Sequence, residues 1–153
     1  MSMSSGEDHG PGVTVLPAAI GDALVAHARA EYPNEACGLI VGDGPAAEGG
    51  LALRFEPTRN TAASPYRYEI APDDLYRIIV DADDADEAIW GIVHSHTHTP
   101  AVPSPTDVGL AFYPDALYVL VSLSDDEADP VTGERSVRAW RIGDGAVSEV
   151  SLT

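Results

Sequence analysis

Lysine is missing from this chain. Its basic side chains, histidine aside, are 8 arginines against 15 Asp and 10 Glu, for a formal net charge of -17. Proteins that bind nucleic acids or anionic membranes make their phosphate contacts with clustered Lys and Arg. Here the arginines are scattered and outnumbered threefold, which argues against both classes. Cysteine is almost as scarce: Cys37 stands alone, so neither an intrachain disulfide nor a cysteine-built metal knuckle is available. That usage fits a reducing compartment. Long apolar runs are lacking too; stretches such as Ala116–Val121 fall far short of the ~20 residues that cross a bilayer. Met1–Pro11, MSMSSGEDHGP, has neither the basic start nor the apolar run of a signal peptide. A soluble, cytoplasmic protein is the expectation, with residues 1–11 disordered.

The rest is ordinary for a globular domain, with 44% hydrophobic and 22% charged residues in a chain of 153. A domain of that size buries roughly 68–70% of its unfolded surface, so one core can stand without staples or a partner. Val13–Leu16 reads as a short strand. In Pro17–Tyr32 the apolar residues Ile20, Leu24, Val25, Ala28 and Tyr32 recur at helical spacing until Pro33 stops the pattern. Ala36–Val41 is a nearly continuous apolar run, the mark of a buried strand, and ends in the turn Gly42-Asp43-Gly44. After a Gly- and Ala-rich connection, strands are expected over Leu51–Glu56 and Tyr66–Ile70, and a helix from Pro72 to about Val80. The acidic run Asp81–Glu87 reads as a solvated connection. Ile89–Ser95 and Leu117–Leu123 are strands, and Ser104–Phe112 a helix opened by the capping pattern Ser104-Pro105-Thr106-Asp107. Ser136–Ile142 and Ala146–Leu152 form a terminal hairpin about Gly143-Asp144-Gly145. Strands and helices interspersed without repeats or a linker predict one mixed α/β domain.

Three of the five histidines crowd into Val93-His94-Ser95-His96-Thr97-His98. On a strand, residues two apart project to one face about 6.6 Å along the chain. Two imidazoles can therefore converge on a single ion. Asp107 offers a third ligand, because the proline-rich loop Thr97–Pro103 can turn the chain back and the helix start at Ser104 would hold the carboxylate in place. Two histidines and a carboxylate leave a fourth tetrahedral position for water, the pattern of a catalytic rather than a structural zinc. Taken singly, each piece has a plainer reading. His-x-His is a common surface pair, Asp107 is the acid of a capping box, and Glu35 beside a turn is a solvated charge.

The spacing His94-x-His96, seven residues, then Ser104-x-x-Asp107, with Glu35 upstream at the head of an apolar strand, resembles the JAMM motif of the JAB1/MPN/Mov34 metalloenzymes. Pro33-Asn34-Glu35-Ala36-Cys37-Gly38-Leu39 is similar to the segment that opens this motif in prokaryotic members. The likeness extends over roughly residues 13–142, through Tyr66-Arg67-Tyr68 and Tyr118-Val119-Leu120-Val121-Ser122. It implies a single JAB1/MPN domain over 12–153, an α/β fold whose central mixed β-sheet is flanked by helices in a cytidine deaminase-like architecture. It also implies that His94, His96 and Asp107 hold one Zn2+, that Glu35 is the general base, and that Ser104 hydrogen-bonds the water and the developing oxyanion. The implied activity is hydrolysis of the amide after the C-terminal glycine of a ubiquitin-like sulfur-carrier protein with a Gly-Gly tail, which frees cysteine. An isopeptidase acting on lysine conjugates of a ubiquitin-like modifier is a second reading. A non-catalytic MPN scaffold is a third, although scaffolds of that kind have lost metal ligands and all five positions are present here.

A ligand register of His96 with His98 would break the spacing to Ser104 and Asp107, which leaves His98 at the rim or behind the ligands. Cys37 as a nucleophile paired with a histidine would make a different enzyme class; within a strand pattern it is read as a small buried hydrophobe. The glycine triplets at Gly42 and Gly143 lack any phosphate-loop continuation and are turns. The Asp-rich, lysine-free composition is expected to suit a salty cytoplasm, because screening relieves self-repulsion at this charge. The melting temperature should rise between dilute buffer and molar KCl; a flat or falling value rejects salt adaptation.

Overall fold

The computed structural model describes residues 13–153, so the disorder expected at 1–11 lies outside the described residues. In chain order the elements are β1 Val13–Thr14, α1 Ala18–Glu31, β2 Cys37–Gly42, β3 Ala52–Thr58, α2 Pro72–Asp84 and β4 Ala88–His96. They continue with α3 Pro105–Gly109, β5 Leu117–Ser122, β6 Ser136–Gly143 and β7 Ala146–Leu152. Strands β2 to β7 make a mixed sheet in the order β7-β6-β5-β4-β2-β3, and the two-residue β1 adds parallel to β7 at its edge. Within β2 to β7 only β4 and β5 run parallel, joined by the crossover that contains α3.

Helices cover both faces, which is why β2 and β5 are apolar without alternation: every residue of Cys37–Gly42 and of Leu117–Ser122 is buried. On one face Ile20, Leu24 and Ala28 of α1 pack against Ile40, Val93, Val119 and Val121. On the other, Ile78 and Ala82 of α2 meet Leu39, Ile92, Leu120 and Trp140. The buried indole N–H of Trp140 donates to the Ala101 carbonyl at 3.0 Å and so ties the loop after β4 to that second core. Gly38 is required by close approach, since a Cβ there would stand 2.6 Å from the Phe55 ring and 2.7 Å from the Glu56 carbonyl oxygen.

Most expected elements are present. In the terminal hairpin Asp144 and Gly145 occupy positive φ (53° and 76°) between the paired Gly143 and Ala146, the backbone that an Asp-Gly turn favours. Three expectations need correction. Tyr66–Ile70 is not a strand and contributes only a bridge between Asn60 and Ile70. Its polar backbone is served by the Asn60 side chain, which donates to the Arg67 carbonyl at 3.1 Å and accepts from the Glu69 N–H at 2.9 Å. That local bonding replaces a ladder. Helix α2 runs on through Asp84 into the acidic stretch expected as a connection, because Ile78 and Ala82, one turn apart, keep an apolar stripe while Asp81, Asp83 and Asp84 face water. Helix α3 stops at Gly109 instead of Phe112; glycine is a poor helix former, and Val108 and Ala111 already reach the second core from this short turn.

Candidate metal centre

The site forms where β4 ends. His94 and His96, two apart, point to the same face, the one on which their neighbour Leu120 joins the second core. Their Nε2 atoms lie 3.2 and 3.1 Å from Oδ2 of Asp107. All three side chains are buried, and the ligand atoms of the group lie within 4.8 Å of one another. Asp107 is delivered by the first turn of α3. Ser104 caps that turn, its Oγ accepting from the Asp107 N–H at 3.0 Å while the Ser104 N–H donates to Asp107 Oδ2 at 2.8 Å. Cap acid and candidate ligand, alternatives at the level of sequence, are one carboxylate. The cap is what aims it.

Glu35 reaches the site from the neighbouring strand. In the β2–β4 ladder Cys37 pairs with His94, and continuing that register by two residues sets Glu35 beside His96. The Ser95 N–H donates to the Ala36 carbonyl at 3.0 Å and the Ala36 N–H to Ser95 Oγ at 2.8 Å, locking the junction. Asn60 holds the other side, donating to the Glu35 carbonyl at 2.9 Å. Glu35, His96 and Ser104 thus line one cleft of about 180 Å³. Burial pushes the Glu35 carboxyl up to about 8; His96 draws it down and Asp107 pushes it further up. Burial acts on Asp107 in the same direction, yet the two imidazoles outweigh it and hold that carboxyl well below the usual range. His94 is depressed by burial, against the pull of Asp107. For His96 burial also opposes protonation, but the bonds to Asp107 and the Pro100 carbonyl prevail and raise it.

This donor set fits a divalent cation. Nδ1 of His96 lies 2.7 Å from the Pro100 carbonyl oxygen, which can only accept, so that nitrogen carries the proton. A neutral His96 then directs the Nε2 lone pair at a carboxylate oxygen, an arrangement that calls for a positive charge between them. Neither ring nitrogen of His94 makes a hydrogen bond, and neither does Oε1 of Glu35, although all three atoms are buried. Buried polar atoms without partners are uncommon and costly. Two imidazole nitrogens, a carboxylate and an anchored second ring nitrogen on His96 match the ligand chemistry of zinc-type sites.

The remaining residues fall as follows. His98 is exposed on the rim of the cleft, its Nε2 3.3 Å from the Tyr32 hydroxyl and its Nδ1 3.0 Å from Thr97 Oγ1, outside the metal-binding group. Cys37 is buried against Thr58 Oγ1, and burial lifts its thiol to about 11, which keeps it protonated and unsuited to attack. Sequence reasoning missed Tyr68, whose ring stacks on His94 at 4.3 Å with a 20° tilt. That contact orients the imidazole that lacks hydrogen bonds. No periodicity announces it, because Tyr68 lies in the irregular segment organised by Asn60.

The chain matches the family of prokaryotic homologs of the JAB domain over residues 17–143, and it belongs to that family. It is 42% identical over 138 residues to the CysO-cysteine peptidase of Mycobacterium tuberculosis (strain ATCC 25618 / H37Rv), covering 90% of this chain and 88% of the relative. To the desampylase of Haloferax volcanii it is 33% identical over 112 residues, covering 70% of this chain and 78% of the relative. The solution structure of protein DSY2949 from Desulfitobacterium hafniense superposes with a TM-score of 0.74 at 31% identity, covering 92% of this chain and 91% of that one. Among the described residues no helix is long and apolar enough to cross a membrane.

Metal content separates the two histidine registers. Protein purified without chelator should carry about one metal per chain by elemental analysis, keep it in His98→Ala and lose it in His94→Ala. The opposite pattern would overturn the ligand set.

Proposed function

We propose that this chain is a cytoplasmic zinc hydrolase that cleaves the amide after the C-terminal glycine of a Gly-Gly-tailed, ubiquitin-like sulfur-carrier protein and releases cysteine. The observation that carries the reading is the convergence in one cleft of the His94–His96–Asp107 group and a buried, unpartnered Glu35 oxygen. The choice of substrate is supported by the 42% identity to a CysO-cysteine peptidase over nearly the whole chain.

In this reading His94, His96 and Asp107 hold the ion, which when bound polarises the scissile carbonyl and lowers the pKa of a coordinated water to about 7. Glu35 removes a proton from the attacking water and later delivers one to the leaving amine. Burial raises the affinity of this carboxyl for a proton, which favours its taking one from the water. Ser104 accepts the Asp107 N–H with an oxygen lone pair, leaving its own O–H proton to donate to the carbonyl oxygen as charge builds there. One water is consumed; the carrier regains its glycine carboxylate and cysteine departs with a free amine. Only backbone free of side chains can pass close to a metal set this deep, which suits a Gly-Gly tail.

Similarity to a desampylase supports the second reading, removal of a ubiquitin-like modifier from protein lysines. Incubation with a Gly-Gly carrier bearing C-terminal cysteine and, in parallel, with a lysine-linked conjugate, followed by mass spectrometry, distinguishes the two. Faster loss of cysteine supports the proposal, and faster loss of the lysine partner assigns the isopeptidase. Glu35→Gln should keep its metal and lose turnover, whereas unaltered cleavage removes Glu35 from the mechanism. Ser104→Ala should lower kcat on the order of 10²-fold, and a rate equal to the parent's would reject its oxyanion role.

A further inference from the structure

A second depression of about 580 Å³ opens beside the metal cleft and shares Thr97 and His98 with it. Its walls come from the end of α1, the loop after β4, the segment that follows β5 and Arg135 just before β6. Two of the chain's arginines, Arg29 and Arg135, meet there. In a protein with 25 acidic residues most arginine charge should be spent on nearby carboxylates. That is what several others do: Arg54 pairs with Glu56 and Glu87, Arg59 with Asp73 and Asp74, Arg138 with Glu149. Arg135 follows suit, donating to Asp125 at 2.9 Å and to the Leu123 carbonyl at 3.2 Å, which braces the wall and neutralises one of its acids. Arg29 differs. It is exposed and has no carboxylate partner among the described residues; Arg67, Arg77 and Arg141 share that lack, but of these four only Arg29 borders the depression. Tyr32, the residue that follows α1, places its hydroxyl against His98. The edge nearest the cleft therefore offers a guanidinium with free donors, beside a phenol whose O–H is directed at the imidazole of His98. Asp126 also lines the depression, so one place exists there for a positive group as well.

We propose that this depression is the leaving-group subsite and that Arg29 is its specificity-determining residue, receiving the α-carboxylate of a C-terminal amino acid. The inference rests on the hydrolase reading above. When the group released is a free amino acid, its carboxylate hangs from the carbon bonded to the scissile nitrogen. In this proposal it lies where the shared residues Thr97 and His98 lead from the cleft into the depression. A lysine side-chain conjugate has uncharged methylenes at that place. A guanidinium fork against a carboxylate is a strong, directional pairing, so the same groove that accepts the amino acid discriminates against the conjugate.

The test uses full-length, metal-loaded protein and two carriers ending in Gly-Gly-Cys, one with a free carboxylate and one with a C-terminal carboxamide. The parent should favour the acid by about fivefold or more in kcat/KM, mainly through KM. Arg29→Gln should bring the acid down to the rate of the amide, and Arg29→Lys should restore part of the preference. Equal rates in the parent, or an undiminished preference in Arg29→Gln, would overturn the subsite. Cleavage of neither carrier would instead refute the hydrolase reading, and a measurement without turnover decides the subsite separately. N-acetyl-L-cysteine should shift the amide resonances around Arg29, His98 and Ser124 in the parent, and shift them less in Arg29→Gln; no shift in the parent rejects the proposal.

Discussion

Two imidazole nitrogens are held at hydrogen-bonding distance from one carboxylate oxygen, and all three side chains are buried. Such a group is stable only if positive charge sits among its members, as protons or as a metal ion. Much of the surrounding structure answers to that requirement. The pleat of β4 sends both histidines to one face, the capping box of α3 aims Asp107, and the Pro100 carbonyl fixes the tautomer of His96. Trp140 in turn anchors the loop that carries Pro100 through its bond to Ala101.

The chemistry follows from placing a fourth ionisable group beside this centre without letting it join. Glu35 lies just before β2 and is brought in by the pairing of its neighbour Ala36 with Ser95, so its position is decided by sheet register and not by attraction to the histidines. It remains buried and short of hydrogen bonds, which raises its affinity for a proton. Two carboxylates at one site are thereby driven apart, Asp107 toward permanent ionisation and Glu35 toward exchange near neutrality. In the proposed mechanism that separation divides ligand from base.

Charge across the rest of the molecule is arranged more loosely. Exposed ion pairs such as Arg59 with Asp73 and Asp74, or Arg138 with Glu149, offset local repulsion and contribute little each. Against that background an arginine at the edge of the site and left out of such pairs gains meaning.

Legibility in the sequence followed the range of the interactions. The buried strands Cys37–Gly42 and Leu117–Ser122, helix α1 and the Asp144-Gly145 turn could be read because apolar runs, 3.6-residue spacing and turn chemistry are local properties of the chain. The candidate site residues could be picked out as well, since two histidines on alternate positions and a capped acid nearby leave a spacing signature. Tertiary structure decided the rest. It turned Tyr66–Ile70 into an irregular segment held by Asn60, extended α2 through its acidic end over Ala82, and stacked Tyr68 on His94. It also made one carboxylate serve as both cap and metal-facing group. These outcomes depend on partners distant in the chain, and only packing brings such partners within reach of one another.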